Sequence, residues 1–131
     1  MKKLFFYLCL FCALFFAACK KDANNSSING TWELRRSVSG LDGKLSTYPK
    51  ENGNHYTFSG NNYEYFSAAQ LSKSGTYKLV TEQQLTLQKP STRIIFDDVT
   101  DTRLFISREE GLLWISIDAY DAGSLGYERI R

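Results

Sequence analysis

Residues that build common catalytic and metal sites are scarce in this chain. Among its 131 residues there is one histidine, His55, which excludes a cluster of histidine metal ligands. The chain has no P-loop and no G-x-G-x-x-G motif, and Gly123-Ser124-Leu125-Gly126 does not have the G-x-S-x-G spacing of a nucleophile elbow. The acidic residues around Asp97 and Asp118 match no EF-hand pattern, so we interpret them as acidic turns. We therefore predict no enzymatic activity, no cofactor and no metal site.

The N-terminal segment MKKLFFYLCLFCALFFAACKKD combines a basic start, Lys2-Lys3, with an apolar run over Leu4–Ala18. That run is shorter than the ~20 residues that a membrane-spanning helix needs, so a removed segment is favoured over an uncleaved transmembrane anchor. The segment resembles a bacterial lipoprotein signal peptide, in which Phe16-Ala17-Ala18-Cys19 fits the lipobox with Phe16 in place of the usual Leu or Val. The resemblance implies cleavage of residues 1–18 and attachment of palmitate-type acyl chains to Cys19.

A mature chain of this kind carries no free thiol and no net charge. Cys9 and Cys12 leave with the signal peptide and Cys19 carries lipid, so neither a disulfide nor a cysteine metal site is expected. Removal of Lys2-Lys3 takes two of the 16 basic residues and leaves 14, equal to the 14 acidic residues. Nucleic-acid-binding domains normally show a concentrated basic surface, so we exclude nucleic acid as a partner.

The segment after Cys19 is polar apart from Ile28 and cannot bury enough surface to order itself. We predict a lipidated, flexible tether over residues 19–29 and a single folded domain over residues 30–131. The Cys-Lys-Lys-Asp start resembles that of Bacteroidota lipoproteins. This resemblance implies an outer-membrane location, anchored by lipid, on either the periplasmic or the cell-surface face.

From Thr31 onward the sequence predicts an all-β domain of about nine short strands separated by turn residues. Closely spaced strands of this kind indicate an up-and-down antiparallel barrel or a sandwich. Arg36 is an exception on the otherwise apolar face of the first strand, and only Ala68–Leu71 and Leu41–Tyr48 could hold a helical turn. The strand candidates are Thr31–Ser39, Tyr56–Ser59, Tyr63–Ser67, Gly75–Val80, Gln84–Lys89, Arg93–Phe96, Arg103–Ser107, Leu112–Asp118 and Tyr127–Arg131.

Two short motifs carry a resemblance to a known family. Gly30-Thr31-Trp32 resembles the GxW motif that opens the first strand of lipocalins and of small lipocalin-like lipoproteins of Bacteroidota, and Tyr127-Glu128-Arg129-Ile130 resembles their Y-x-R-I ending. The resemblance implies a lipocalin-like barrel of about 8–9 strands in which an arginine stacks over Trp32. Arg129 is the residue carried over for that role, with Arg36 as the competitor.

The aromatic residues on facing strands are the candidate ligand-binding set, because they could line an apolar pocket with hydroxyl handles. The alternative is that they form ordinary cross-strand pairs and a structural plug. Together with the arginine, the candidates are Trp32, Tyr56, Phe58, Tyr63, Tyr65, Tyr77, Trp114 and Arg129.

Two functions follow from these patterns. The first is binding of a small apolar ligand inside the barrel. The second is a barrel filled by its own side chains that acts as an accessory or inhibitor module and binds a protein or a glycan through its strands or loops. On the second hypothesis the loop between Ser39 and Asn54 is the working surface, since loops on rigid scaffolds carry function. The sequence identifies no specific protein partner.

Overall fold

The computed structural model describes residues 27–131, which form an antiparallel β structure. The predicted signal peptide, Cys19 and most of the predicted tether lie outside the described residues. Within that range, no helix is long and apolar enough to cross a membrane. The strands are β1 (Gly30–Val38), β2 (Leu45–Thr47), β3 (His55–Ser59), β4 (Asn62–Ser67), β5 (Gln70–Gln84), β6 (Lys89–Phe96), β7 (Leu104–Glu109), β8 (Leu112–Ile117) and β9 (Ser124–Arg129).

Eight of these strands close into a barrel. Each strand from β3 to β8 pairs with the strand that follows it, and β9 pairs with β1 along its length. The first half of β1 pairs with β3, while its second half, Arg36–Val38, pairs with the short extra strand β2. Closure leaves few strand edges for unwanted pairing, which suits a small domain without disulfides. The predicted small up-and-down barrel is confirmed.

The barrel interior is filled mainly by large apolar side chains that alternate along the strands. Trp32 and Leu34 on β1, Phe58 on β3, Ile94 on β6 and Tyr127 on β9 are all at most 9% exposed and belong to one core cluster. Seven half-buried side chains pack against this cluster: Tyr48, Tyr56, Tyr65, Leu79, Phe96, Leu104 and Ile106.

A β-bulge in β1 explains the position of Arg36. Leu34 pairs with Tyr127 and Arg36 with the next residue, Gly126, so one residue of β1, Arg35, is left over in the register. The extra residue reverses the alternation and turns Arg36 and Val38 to the outside. Arg36 there forms an ion pair of 2.6 Å with Glu110.

Ile28 belongs to the folded domain, although the sequence places it in the tether. It is 1% exposed and lies in the core cluster, and the indole Nε1 of Trp32 donates a hydrogen bond of 2.7 Å to its carbonyl. A lone apolar residue in a polar segment becomes buried here because the end of the barrel offers it a site beside Trp32. The folded domain therefore begins before Ile28 and not at Gly30.

Two local expectations are wrong. The sequence predicts a turn at Thr81-Glu82-Gln83, between the strand candidates Gly75–Val80 and Gln84–Lys89, but these three residues lie within the long strand β5. The turn that follows covers residues 85–88, most of the second candidate. Ala68-Ala69 is a two-residue hairpin turn with φ of 49° and 63°, not part of a helix. Both errors arise because pairing with neighbouring strands, which fixes turn positions, cannot be read from a local pattern.

Candidate functional site

The aromatic residues predicted to line an internal pocket pack mainly against one another. The ring of Tyr56 lies 4.7 Å from that of Tyr65, 5.7 Å from that of Phe96 and 5.4 Å from that of Tyr127, measured between centroids. Phe58 lies 4.9 Å from Tyr77. These separations are typical of stacked and edge-to-face pairs, so the rings occupy the space that an internal ligand would need.

Burial of this ring cluster also perturbs its hydroxyl groups. Burial, with smaller effects of Tyr65 and Tyr63, raises the pKa of Tyr56 to about 12. Burial and a hydrogen bond of 2.7 Å that its hydroxyl donates to Asp97 raise the pKa of Tyr63 to about 12. The pKa of Tyr127 is raised by burial in the same cluster. All three hydroxyls therefore stay neutral at physiological pH.

The Trp32 end of the barrel carries two arginines. The guanidinium carbon of Arg108 lies 5.2 Å from the centroid of the Trp32 ring and that of Arg129 lies 5.9 Å from it. Arg129 thus occupies the place that the family resemblance implies, whereas its competitor Arg36 does not. Arg108 was missed because nothing in the sequence shows that the end of β7 reaches Trp32. Trp32 and Arg129 line none of the four cavities described below, whereas Arg108 lines one of about 150 Å³.

Trp114 is the exception in the aromatic set. Its neighbours Leu113 and Ile115 point into the core, so alternation along β8 places Trp114 on the outer face. It lines a cleft of about 370 Å³, larger than three other cavities of about 150, 300 and 280 Å³. None of these four cavities is lined by Tyr56, Phe58, Tyr63 or Tyr65, whereas Tyr77 lines the cavities of about 300 and 280 Å³.

The cleft is covered by a hairpin, residues 81–91, which we call the flap. It consists of the end of β5, the turn over residues 85–88 and the start of β6. β6 pairs with β7 only through residues 92–94, and Pro90 has no N–H with which to extend the ladder. The flap is therefore not paired with β7, and its residues line the same cleft as Phe105, an outward residue that is only 3% exposed.

A charged network, which we call the latch, holds the flap in place. The backbone N–H groups of Leu85 and Thr86 donate hydrogen bonds of 2.9 and 3.0 Å to the Asp118 carboxylate, whose side chain is fully buried. Arg103 donates to Asp118 at 3.2 Å, to Glu82 and, at 2.7 Å, to the carbonyl of Gln83. These contacts tie the flap to the strand ends at residues 103 and 118.

The latch shifts the pKa values of both carboxyl groups. Burial alone would raise the pKa of Asp118, but the hydrogen bonds from Leu85, Thr86 and Arg103 outweigh it and lower that pKa to about 2. Hydrogen bonds from Arg93 and Arg103 lower the pKa of Glu82. The carboxylates of Glu82 and Asp118 therefore remain charged and pair with the guanidinium groups of Arg93 and Arg103. With Arg93 included, the charged side chains of the latch have no net charge.

The cleft lies between the flap and the outer face of β7, β8 and β9. Its lining combines five uncharged polar side chains with five apolar ones, among them the half-buried ring of Trp114, and two charged ones. The lining residues are Val38, Gln84, Leu87, Lys89, Ser91, Phe105, Ile106, Ser107, Glu109, Trp114, Ser116 and Ser124.

Because Gly126 has no side chain, the Trp114 ring can lie directly on its backbone. A Cβ added to Gly126 would lie 3.0 Å from ring atoms Cη2 and Cζ3 of Trp114 and 3.1 Å from Cε3. Gly126 is paired directly with Trp114 across β8 and β9, and its φ lies outside the left-handed region. The glycine is needed here for close approach and not for a special backbone conformation. The ring consequently lies flat on the sheet, with its second face toward the cleft.

Comparison with known proteins assigns no relative. A scan against protein-family models, a search of curated proteins and a search of solved structures each find no match to this chain. Among the described residues, no group of three or more His, Cys, Asp or Glu side chains is placed to hold a metal ion. The candidate site therefore rests on the geometry of the cleft.

Proposed function

We propose that this chain is an outer-membrane lipoprotein whose filled barrel serves as a binding module, with the cleft beneath the flap as its ligand site. The observation that carries this proposal is the contrast between the two faces of the sheet. Inside, the aromatic rings contact one another. Outside, Trp114 lies in a cleft of about 370 Å³, a volume within the range of small-molecule sites.

The anchor is supported by the sequence Phe16-Ala17-Ala18-Cys19. Two or three acyl chains make membrane attachment stable, so the barrel needs no membrane-binding surface of its own. Metabolic labelling with a palmitate analogue tests this part. We expect labelled protein from the wild-type gene and none from Cys19→Ser, with Cys12→Ser as the matched control that retains the label. Labelling of Cys19→Ser would contradict the anchor.

The cleft is tested with the two tryptophans as separate reporters. In Trp32→Phe the only indole is Trp114 in the cleft, and in Trp114→Phe the only indole is Trp32 in the core. We expect an aqueous extract of the cell envelope to shift the emission of the first variant and to leave the second unchanged. A shift confined to Trp32 would contradict binding in the cleft.

Binding of a small apolar ligand inside the barrel is the competing proposal, and the same pair of variants distinguishes it. An internal ligand has to displace rings such as Tyr56 and Tyr127, whose centroids are 5.4 Å apart. It would therefore change the environment of the core, including Trp32, when the lipid fraction of the envelope is added. The close packing of these rings favours the filled barrel.

A further inference from the structure

The Trp114 indole forms a flat platform with one supported and one open face. Gly126 supports the lower face, and the half-buried ring lines the cleft with the rest of its surface. A large, flat apolar face with limited side-chain freedom is an effective binding element, because little conformational entropy is lost when a ligand stacks on it. The ligand must therefore present a flat apolar face of its own.

Hydroxyl and amide groups form the uncharged polar part of the cleft lining, beside the apolar side chains of Val38, Leu87, Phe105 and Ile106. The hydroxyls of Ser107, Ser116 and Ser124 line the cleft and have no hydrogen-bond partner among the described residues. The Gln84 amide also lines it and makes one long hydrogen bond, of 3.3 Å, to the Thr86 hydroxyl. Each hydroxyl can both donate and accept, so the cleft matches a ligand that carries many neutral groups of the same kind.

Charge in the cleft is sparse and balanced. Of the lining residues only Lys89 and Glu109 are charged, one of each sign. An anionic ligand would require a concentration of cations, which arginine or lysine clusters supply at phosphate and carboxylate sites. The cleft lacks such a cluster among its lining residues. A lipid tail is disfavoured too, because it would bury the serine hydroxyls without partners.

An extended peptide is also a poor match to the cleft floor. Peptides that add to a sheet gain affinity from main-chain hydrogen bonds at a free strand edge. Here Ser107 is already paired with Trp114, and Trp114 with Gly126, across β7, β8 and β9. On the side of β6, β7 is unpaired beyond Ile106, but this free edge spans only residues 107–109, so an extended peptide would gain few main-chain hydrogen bonds there.

We propose that the cleft binds a neutral oligosaccharide, with the apolar C–H face of one sugar ring on Trp114 and the sugar hydroxyls on Ser107, Ser116, Ser124 and Gln84. This inference rests on the proposed function, because it names the ligand class of the same site. A sugar ring is the common chemical unit that joins a flat apolar face to a rim of neutral hydroxyls. The cleft volume, about 370 Å³, suits a short stretch of such a chain.

The test uses the full lipidated chain in detergent, titrated with maltohexaose, cellohexaose and chitohexaose by calorimetry. We expect at least one of the three to bind saturably and Trp114→Ala to weaken that binding roughly tenfold or more. Tyr120→Ala is the matched control, because Tyr120 is 85% exposed and does not line the cleft. Gly126→Ala, which tilts the ring from below, should also weaken binding while circular dichroism confirms the fold.

Three results would overturn the sugar assignment. They are no binding of any of the three oligosaccharides at millimolar concentration, binding that Trp114→Ala leaves unchanged, and displacement of the ligand by an envelope protein fraction alone. The last result would retain the cleft as the binding site and replace the ligand class. A shift of the Trp32 reporter instead of the Trp114 reporter would contradict the proposed function itself.

Discussion

At the scale of single residues, the two tryptophans have opposite roles. Trp32 is 3% exposed and hydrogen-bonds the carbonyl of Ile28, whereas Trp114 lies on the outer face in the cleft. We expect Trp32→Ala to lower the free energy of unfolding by about 3–5 kcal/mol, because it leaves a cavity at the closed end. Urea unfolding measures this loss, and Tyr120→Ala is the exposed control. A loss of similar size for both variants would contradict the packing described for Trp32.

Asp118 makes the stability of the domain sensitive to acid. Its pKa in the folded protein, about 2, lies below the ordinary value of 3.8, so the folded state favours the deprotonated form. The resulting stabilisation is fully present above pH 3.8 and is lost as the pH falls toward 2. Urea unfolding across this range should therefore show a smaller acid-induced loss in Asp118→Asn than in the wild type. Parallel curves for the two proteins would contradict the role of Asp118.

At the scale of elements, the flap is a hairpin that does not pair with β7. The side-chain contacts of the latch attach it to the rest of the barrel. Asp118→Ala removes the acceptor for the amides of Leu85 and Thr86, so these two amides should exchange hydrogen faster while those of β8 keep their protection. Asp98→Ala is the matched control, because Asp98 is exposed and pairs only with Lys78. Unchanged exchange at residues 85 and 86 would show that the latch does not hold the flap.

Substitutions in the turn between β4 and β5 should stabilise the domain. Ala68 and Ala69 have φ of 49° and 63°, a conformation that favours Asn-Gly in two-residue hairpins. Ala68→Asn combined with Ala69→Gly should therefore raise the free energy of unfolding by about 1 kcal/mol. In the control Ala119→Gly, where φ is not positive, the extra chain freedom should lower it. Thermal unfolding of both variants gives the comparison, and destabilisation of the double variant would contradict the turn geometry.

Some features of the strands and of the flap can be predicted from a local sequence pattern, and others cannot. Alternation along β8 is visible in the sequence, and it could have indicated that Trp114 faces away from Leu113 and Ile115. The bulge at Arg35 and the course of the flap could not be predicted, because both depend on the register with strands distant in the chain. The cleft combines residues from Val38 to Ser124, so no single motif contains it.

At the scale of the whole molecule, the all-β class could be predicted because strand spacing and turn residues are local properties, whereas the choice of a barrel over a sandwich came from the resemblance of Gly30-Thr31-Trp32 to the GxW motif. Whether the barrel is hollow or filled depends on side-chain volumes summed across eight strands, and that sum is not local. The short ring separations around Tyr56 are the observation that decides it here. A domain of this size without disulfides gains stability from such packing.

Native mass spectrometry of Trp114→Ala, purified from cells in detergent, tests the filled interior most directly, because this variant lacks the outer platform and leaves only an internal site. We expect the mass of the purified chain alone, with no further molecule bound. A reproducible additional apolar molecule that mild denaturation releases would contradict it, and would show that the rings around Tyr56 separate to admit a ligand.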